Sequence, residues 1–232
     1  MAIFYILLAV AITLSCFFIL IQHPKKPLIS FMFKGLASVS VLILGVYACK
    51  YSGLIDSVSG MLFLAGLGFC ILGDVLLALL EFKIKDAKYN IINAGSVSFF
   101  LAHICFITAI CFLIGGNGVA LSIPFLFGIL FVGIIYLIQK PMSLNYGKST
   151  AATLIYSFGL STALATSVSY MIIASFSLAS IILACGLLFF LISDLILSMI
   201  YFKENSPRVL YYPNLATYYI AIILIACSLV CF

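Results

Sequence analysis

Residues 66–83, GLGFCILGDVLLALLEFK, decide the fold. The stretch is an apolar run interrupted by one acid, Asp74, and closed by Lys83. A helix needs about 20 such residues to cross a bilayer, and runs of this kind recur along all 232 residues of the chain. Helices are expected near 2–21, 31–49, 58–80, 90–113, 119–138, 149–172, 177–202 and 209–231. The composition agrees: 66% of residues are hydrophobic and 7% charged, with a mean hydropathy of +1.37, against roughly half apolar and a quarter charged in a soluble domain. The expected fold is all-α, a polytopic membrane bundle of eight transmembrane helices, with residues 1–232 forming a single integral membrane domain. The first segment lacks a positively charged leader and has a long apolar core, so it reads as a retained helix rather than a cleaved signal.

A second stretch answers the first. Residues 186–203 read GLLFFLISDLILSMIYFK, and at an offset of 120 residues Gly66 aligns with Gly186, Phe69 with Phe189, Asp74 with Asp194 and Lys83 with Lys203. Both stretches run toward the same side of the membrane, which suggests two parallel four-helix halves, as parallel repeats produce. The loops after helices 1, 3, 5 and 7 hold Lys25, Lys26, Lys83, Lys85, Lys88, Lys140, Lys148, Lys203 and Arg208, whereas the opposite loops hold only Lys50. The positive-inside rule then puts the odd-numbered loops in the cytosol and both termini outside. The net charge of +5 is explained by this topology, and no nucleic-acid partner is expected. Six of the eight cysteines lie within apolar stretches and read as small core residues.

The acids sort by position. Asp56, Glu81, Asp86 and Glu204 fall at loops or helix ends, while Asp74 and Asp194 lie inside helices 3 and 7, about 10 Å from the cytosolic helix end at 1.5 Å rise per residue. A carboxylate at that depth faces the bundle interior or a wet cavity. Two that face each other can share one proton and divide acid from base work; the structural reading is that each fixes helix packing through hydrogen bonds. Lys34, at the start of helix 2, reads as snorkelling to the headgroups, with pairing to an aspartate or a phosphate as its other roles. His103 lies deep in helix 4, as a proton shuttle or a packing residue. Tyr211 and Tyr212 read as interfacial anchors. Tyr156, Asn214, Tyr218 and Tyr219 complete a polar layer with the aspartates, one of the last two tyrosines being deep enough to donate to the site.

No nucleophile elbow, phosphate-binding glycine loop or His-Glu-x-x-His sequence occurs. With two histidines, neither a metal nor any other cofactor is expected. An amphiphilic substrate suits the layer, its tail among the helices and its head at the polar residues. Lys34, the Gly73-Asp74 pair, the segment GSVSFFLAHICFI containing His103, Tyr156, the Ser193-Asp194 pair and Thr217-Tyr218-Tyr219 occur in this order across nearly the whole chain.

This ordered set resembles the lysoplasmalogenase family of membrane proteins, which includes the bacterial YhhN proteins. The resemblance implies hydrolysis of the vinyl ether bond of lysoplasmalogens, releasing a fatty aldehyde and glycerophosphoethanolamine or glycerophosphocholine. The implied partners are a lysophospholipid with a vinyl ether chain and the membrane lipids around it. It implies Asp74, Asp194 and His103 as catalytic residues and Lys34, Tyr156, Asn214, Tyr218 and Tyr219 as substrate-binding ones. It also implies an endoplasmic reticulum location in a eukaryote and an inner-membrane one in a bacterium. The chain departs from the family pattern at Gly35, Phe106 and Ile222, the last standing where a glutamine is usual. A proton-coupled transporter, with broken helices near the midplane, and a non-catalytic lipid-binding protein are the competing classes.

The charge pattern is testable. A reporter that is active only outside the cytosol is expected to be active when fused after Phe232 and silent when inserted beside Lys140. The opposite result would reverse the orientation.

Overall fold

The computed structural model describes residues 1–22, 27–82, 87–115 and 118–232. Lys25, Lys26, Lys83, Lys85, His23, Asp86 and Asn117 lie outside the described residues. The described residues form eight α-helices: α1 (Ala2–Ile21), α2 (Pro27–Ser52), α3 (Val58–Ala78), α4 (Lys88–Leu113), α5 (Gly118–Ile138), α6 (Thr150–Ile173), α7 (Leu178–Phe202) and α8 (Tyr211–Ser228). Seven are long and apolar enough to cross a membrane, and α5 adds the apolar stretch Ser122–Ile138. The protein is therefore a multi-pass integral membrane protein. Its outer surface is built of large apolar side chains such as Leu20, Leu130 and Leu137, as a lipid-facing surface requires.

One boundary differs from the sequence expectation in a way that matters. Helix α2 begins at Pro27 rather than near residue 31. Proline suits the first helical position, where its missing N–H has no partner to lose. Lys34 consequently lies about two turns inside the helix rather than at its start.

Six helices close a ring in the order α2, α3, α4, α6, α7, α8, with α8 returning to α2. Helix α1 packs outside on α2 and α8, and α5 packs outside on α6. Shifting every helix number by four carries α1·α2 onto α5·α6, α2·α3 onto α6·α7, α3·α4 onto α7·α8 and α2·α8 onto α4·α6. This neighbour pattern is what two repeated halves produce, and the same 120-residue offset recurs in finer detail. Ser57 caps α3 by accepting the Gly60 N–H at 3.0 Å, and Ser177 caps α7 by accepting the Ser180 N–H at 3.4 Å. A serine cap satisfies an amide that the helix itself leaves unpaired.

The aligned glycines also do the same work. A Cβ on Gly66 would lie 2.3 Å from the Phe106 ring of α4, and one on Gly186 would lie 2.9 Å from Ile225 of α8 and 3.1 Å from the Ala221 carbonyl oxygen. Small residues let membrane helices approach closely where lipid supplies no hydrophobic drive for association. Polar side chains within the helices bond back one turn: Ser157 donates to the Thr153 carbonyl and Ser161 to that of Ser157.

Replacing Gly66 with leucine is expected to destabilise the bundle by about 1–3 kcal/mol, the usual range for overpacking. Gly68→Leu, at a position with nothing within 4 Å of a Cβ, serves as the control. Thermal unfolding in detergent would compare the two, and equal midpoints would contradict the packing at the α3–α4 seam.

Candidate active site

Asp74 is 2% exposed on α3, and its side chain meets partners from both α2 and α8. Lys34 and Ser38 are one helical turn apart on α2 and so share a face. The Lys34 Nζ lies 3.1 Å from Asp74 Oδ1, and the Ser38 hydroxyl donates to Oδ2 at 2.6 Å. From α8 the Tyr218 hydroxyl donates to the same Oδ2 at 2.7 Å. The neighbouring Tyr219 hydroxyl lies behind, 3.4 Å from both Ser38 Oγ and the Lys34 carbonyl oxygen. Asp74 is thus held by one cation and two hydroxyls. Lys34, only 14% exposed, reaches inward to it rather than out to the headgroups.

Asp194, on α7, has a different company. Its Oδ2 accepts a hydrogen bond from the Tyr156 hydroxyl of α6, and among the described residues no cation pairs with it. The preceding Ser193 is locked to α8. The Asn214 side-chain amide donates to the Ser193 carbonyl at 2.8 Å, and the Ser193 hydroxyl donates to the Asn214 carbonyl at 3.1 Å. Asn214 therefore fixes the α7–α8 register beside Asp194. The Phe99 ring contacts the tyrosines of both acids, with centroids 6.4 Å from Tyr156 and 6.1 Å from Tyr218.

Both carboxylates open into one cavity of about 320 Å³, together with Lys34, Asn214 and Tyr218. Gln22, Glu81, Tyr201, Arg208 and Tyr211 also line it. Glu81 is close enough to feel the charges of Lys34 and Arg208, and its Oε2 has no hydrogen-bond partner. The mouth therefore carries both signs of charge. Tyr156 instead lines a second, adjoining cavity of about 70 Å³, which Asp194 also borders.

His103 lines neither cavity. It is fully buried, its Nδ1 lies 2.6 Å from the Phe99 carbonyl oxygen, and its Nε2 has no partner. Since a carbonyl only accepts, Nδ1 carries the proton that this contact shares. The ring packs against Phe190 at 4.8 Å and Tyr156 at 5.6 Å between centroids. It reaches Asp194 through Tyr156, with no hydrogen bond of its own to either acid.

Sequence reasoning passed over Ser38, Tyr201, Glu81 and Arg208. Ser38 had a readable signal, since it stands four residues after Lys34 on a helix. Glu81 and Arg208 had read only as topology charges at helix ends. Of the departures from the family pattern, Gly35 has nothing within 4 Å of a Cβ, while Phe106 and Ile222 are buried core residues that line neither cavity.

The model of the YhhN family matches residues 29–229, and the chain belongs to that family. No curated protein and no solved structure matches it. Family membership suggests a lipid-hydrolysing enzyme.

Removing one partner of a buried ion pair strands the other charge and costs about 3–5 kcal/mol. Lys34→Met is expected to destabilise the protein on that scale, and Lys34→Met combined with Asp74→Asn to recover most of the loss. Unfolding of the two singles and the double in detergent measures the coupling, and simple additivity would sink the pair as a structural unit.

Proposed function

We propose that this member of the YhhN family hydrolyses the vinyl ether bond of lysoplasmalogens, using Asp194 as the acid and Asp74 as the base. The observation that carries the reading is the unequal environment of two carboxylates bordering one cavity. Asp74, beside a lysine and two hydroxyl donors, suits the ionised form. Asp194, with a single phenol, suits the neutral form. Pairs of acids with contrasting surroundings are how carboxylates divide acid from base work.

The chemistry follows from the substrate. A vinyl ether accepts a proton at its β-carbon, which leaves an oxocarbenium ion at the α-carbon. Asp194 delivers that proton. Asp74 stabilises the cation and takes a proton from water as the water adds to the α-carbon. The resulting hemiacetal collapses: its O–H proton returns to Asp194, the proton on Asp74 passes to the departing glycerol oxygen, and the aldehyde is released. Water is consumed and both acids regain their starting states. The same division of labour operates in paired-carboxylate glycoside hydrolysis.

Lys34 and Arg208 offer the headgroup phosphate charge-assisted contacts, and Glu81 offers an acceptor for its ammonium. Tyr156 and Tyr218 set the two acids, Tyr219 and Asn214 act as positioning residues behind them, and His103 holds Tyr156 from below. The uninterrupted runs of α3 and α7 through both aspartates favour this reading over a transporter, whose site would call for broken helices.

Asp74→Asn and Asp194→Asn are each expected to lower aldehyde release from a lysoplasmenyl lipid by about 10²–10⁴-fold, the scale of a general acid or base, while the folded state survives in detergent. A saturated 1-O-alkyl lysolipid, which has no enol ether to protonate, should release nothing. Normal turnover by both variants would refute the mechanism.

A further inference from the structure

The second cavity is the feature that the headgroup chemistry leaves unused. It lies between α4, α6, α7 and the outlying helix α5, and its mostly apolar lining, which includes Phe131, Ile135, Leu160 and Leu195, is interrupted by hydroxyls such as those of Thr153 and Ser157. Among the described residues, Asp194 is the one carboxylate on its border, and no lysine or arginine lines it. Leu77, Phe99, Asp194, Leu197 and Tyr201 line both cavities, so the two adjoin along one wall that contains the acid.

Its construction points outward. Helix α5 packs against α6, and among the described residues neither α4 nor α7 packs extensively on it. Leu195, which lines the slot from α7, is 38% exposed. At the end nearest Lys140 and Lys203, a separate apolar cluster of Ile92, Ile135, Leu144, Tyr146 and Phe202 closes the space. A chain in the slot therefore leaves sideways, between α5 and α7, into the hydrocarbon of the bilayer.

We propose that this slot between α5 and α7 holds the first carbons of the substrate's hydrocarbon chain, so that the chain lies in the bilayer, the phospho-headgroup in the larger cavity, and the reacting bond at Asp194. The assignment rests on the hydrolase reading above and adds to it the path of the chain. The occupant is the tail of a single-chain phospholipid. The polar cavity beside the slot takes its headgroup, and a slot of about 70 Å³ is too narrow to admit two chains side by side. Asp194 then stands where polar and apolar halves of an amphiphile meet, which is where the enol ether of a lysoplasmalogen lies. The placement also explains the apolar wall beside a proton donor: an enol carbon is protonated there without water competing for the proton.

A saturated 1-O-alkyl lysophosphoethanolamine carrying a diazirine near the headgroup end of its chain tests the slot without turnover. With the full chain in nanodiscs, photolabel is expected on peptides of α5 and α7, and excess unlabelled lysophosphoethanolamine should suppress it while excess diacyl phosphatidylcholine does not. Label spread evenly over the lipid-facing helices, or suppressed equally by the diacyl lipid, would overturn the slot. Leu195→Trp, which fills the slot, should reduce the kcat/KM preference for a long over a truncated vinyl ether chain by about tenfold or more. An unchanged preference would count against the slot. Absence of aldehyde from any vinyl ether with the wild-type protein would instead overturn hydrolysis, and the labelling pattern would still decide the slot.

Discussion

The ion pair between Lys34 and Asp74 is the constraint around which the bundle is arranged. A carboxylate inside a membrane helix is tolerated only where the protein replaces the water it has lost. Here the replacement comes from three directions: the lysine and Ser38 from α2, and the Tyr218 hydroxyl from α8. The pair therefore fixes how α2 and α8 turn toward α3, and that choice sets the mouth of the larger cavity. A buried pair of this kind is weak evidence of stability, because its desolvation offsets its attraction. Its presence is better understood as a device that holds a negative charge at a chosen depth.

The two halves of the chain share a frame and differ in what they hang on it. At the 120-residue offset, the capping serines 57 and 177, the seam glycines 66 and 186 and the aspartates 74 and 194 all correspond. Their partners do not. Leu154 and Phe158 stand opposite Lys34 and Ser38, and α6 instead offers Asp194 the phenol of Tyr156. Two acids at matched depth thus receive a cation in one half and a neutral donor in the other. The divergence of α2 from α6 gives each acid its own surroundings.

Much of this was legible in the sequence, and the rest was hidden for a physical reason. Helix number, the all-α class and the depth of Asp74 and Asp194 follow from hydropathy and spacing, which a bilayer enforces strictly. Helix rotation does not, because in a membrane the lipid-facing and core-facing sides are both apolar and little amphipathic pattern remains to tell them apart. That is why Lys34 read as snorkelling outward, why Ser38 went unnoticed, and why the division into two cavities had no sequence signal. The start of α2 at Pro27 compounded the first point by setting Lys34 about one turn deeper than the expected start near residue 31 allowed. His103 was legible as a deep imidazole but not as one whose polar edge turns to the Phe99 carbonyl.

What lies beyond the aspartates bears on the choice between chemistry and transport. From Asp194 toward the far end of the bundle the interior is filled by Phe190, His103, Phe106 and Phe63, all buried. The rings pack edge-on or tilted: Phe190 with His103 at 4.8 Å, His103 with Phe106 at 6.0 Å, and Phe106 with Phe63 at 6.1 Å between centroids. A transported solute would have to pass through this aromatic floor, whose one imidazole, His103, has no hydrogen-bond partner at Nε2. A hydrolase needs no such passage. Its headgroup product returns to the side from which the substrate's headgroup came, and its aldehyde leaves with the chain into the lipid. A floor sealed by packed rings would cost the proposed cycle nothing.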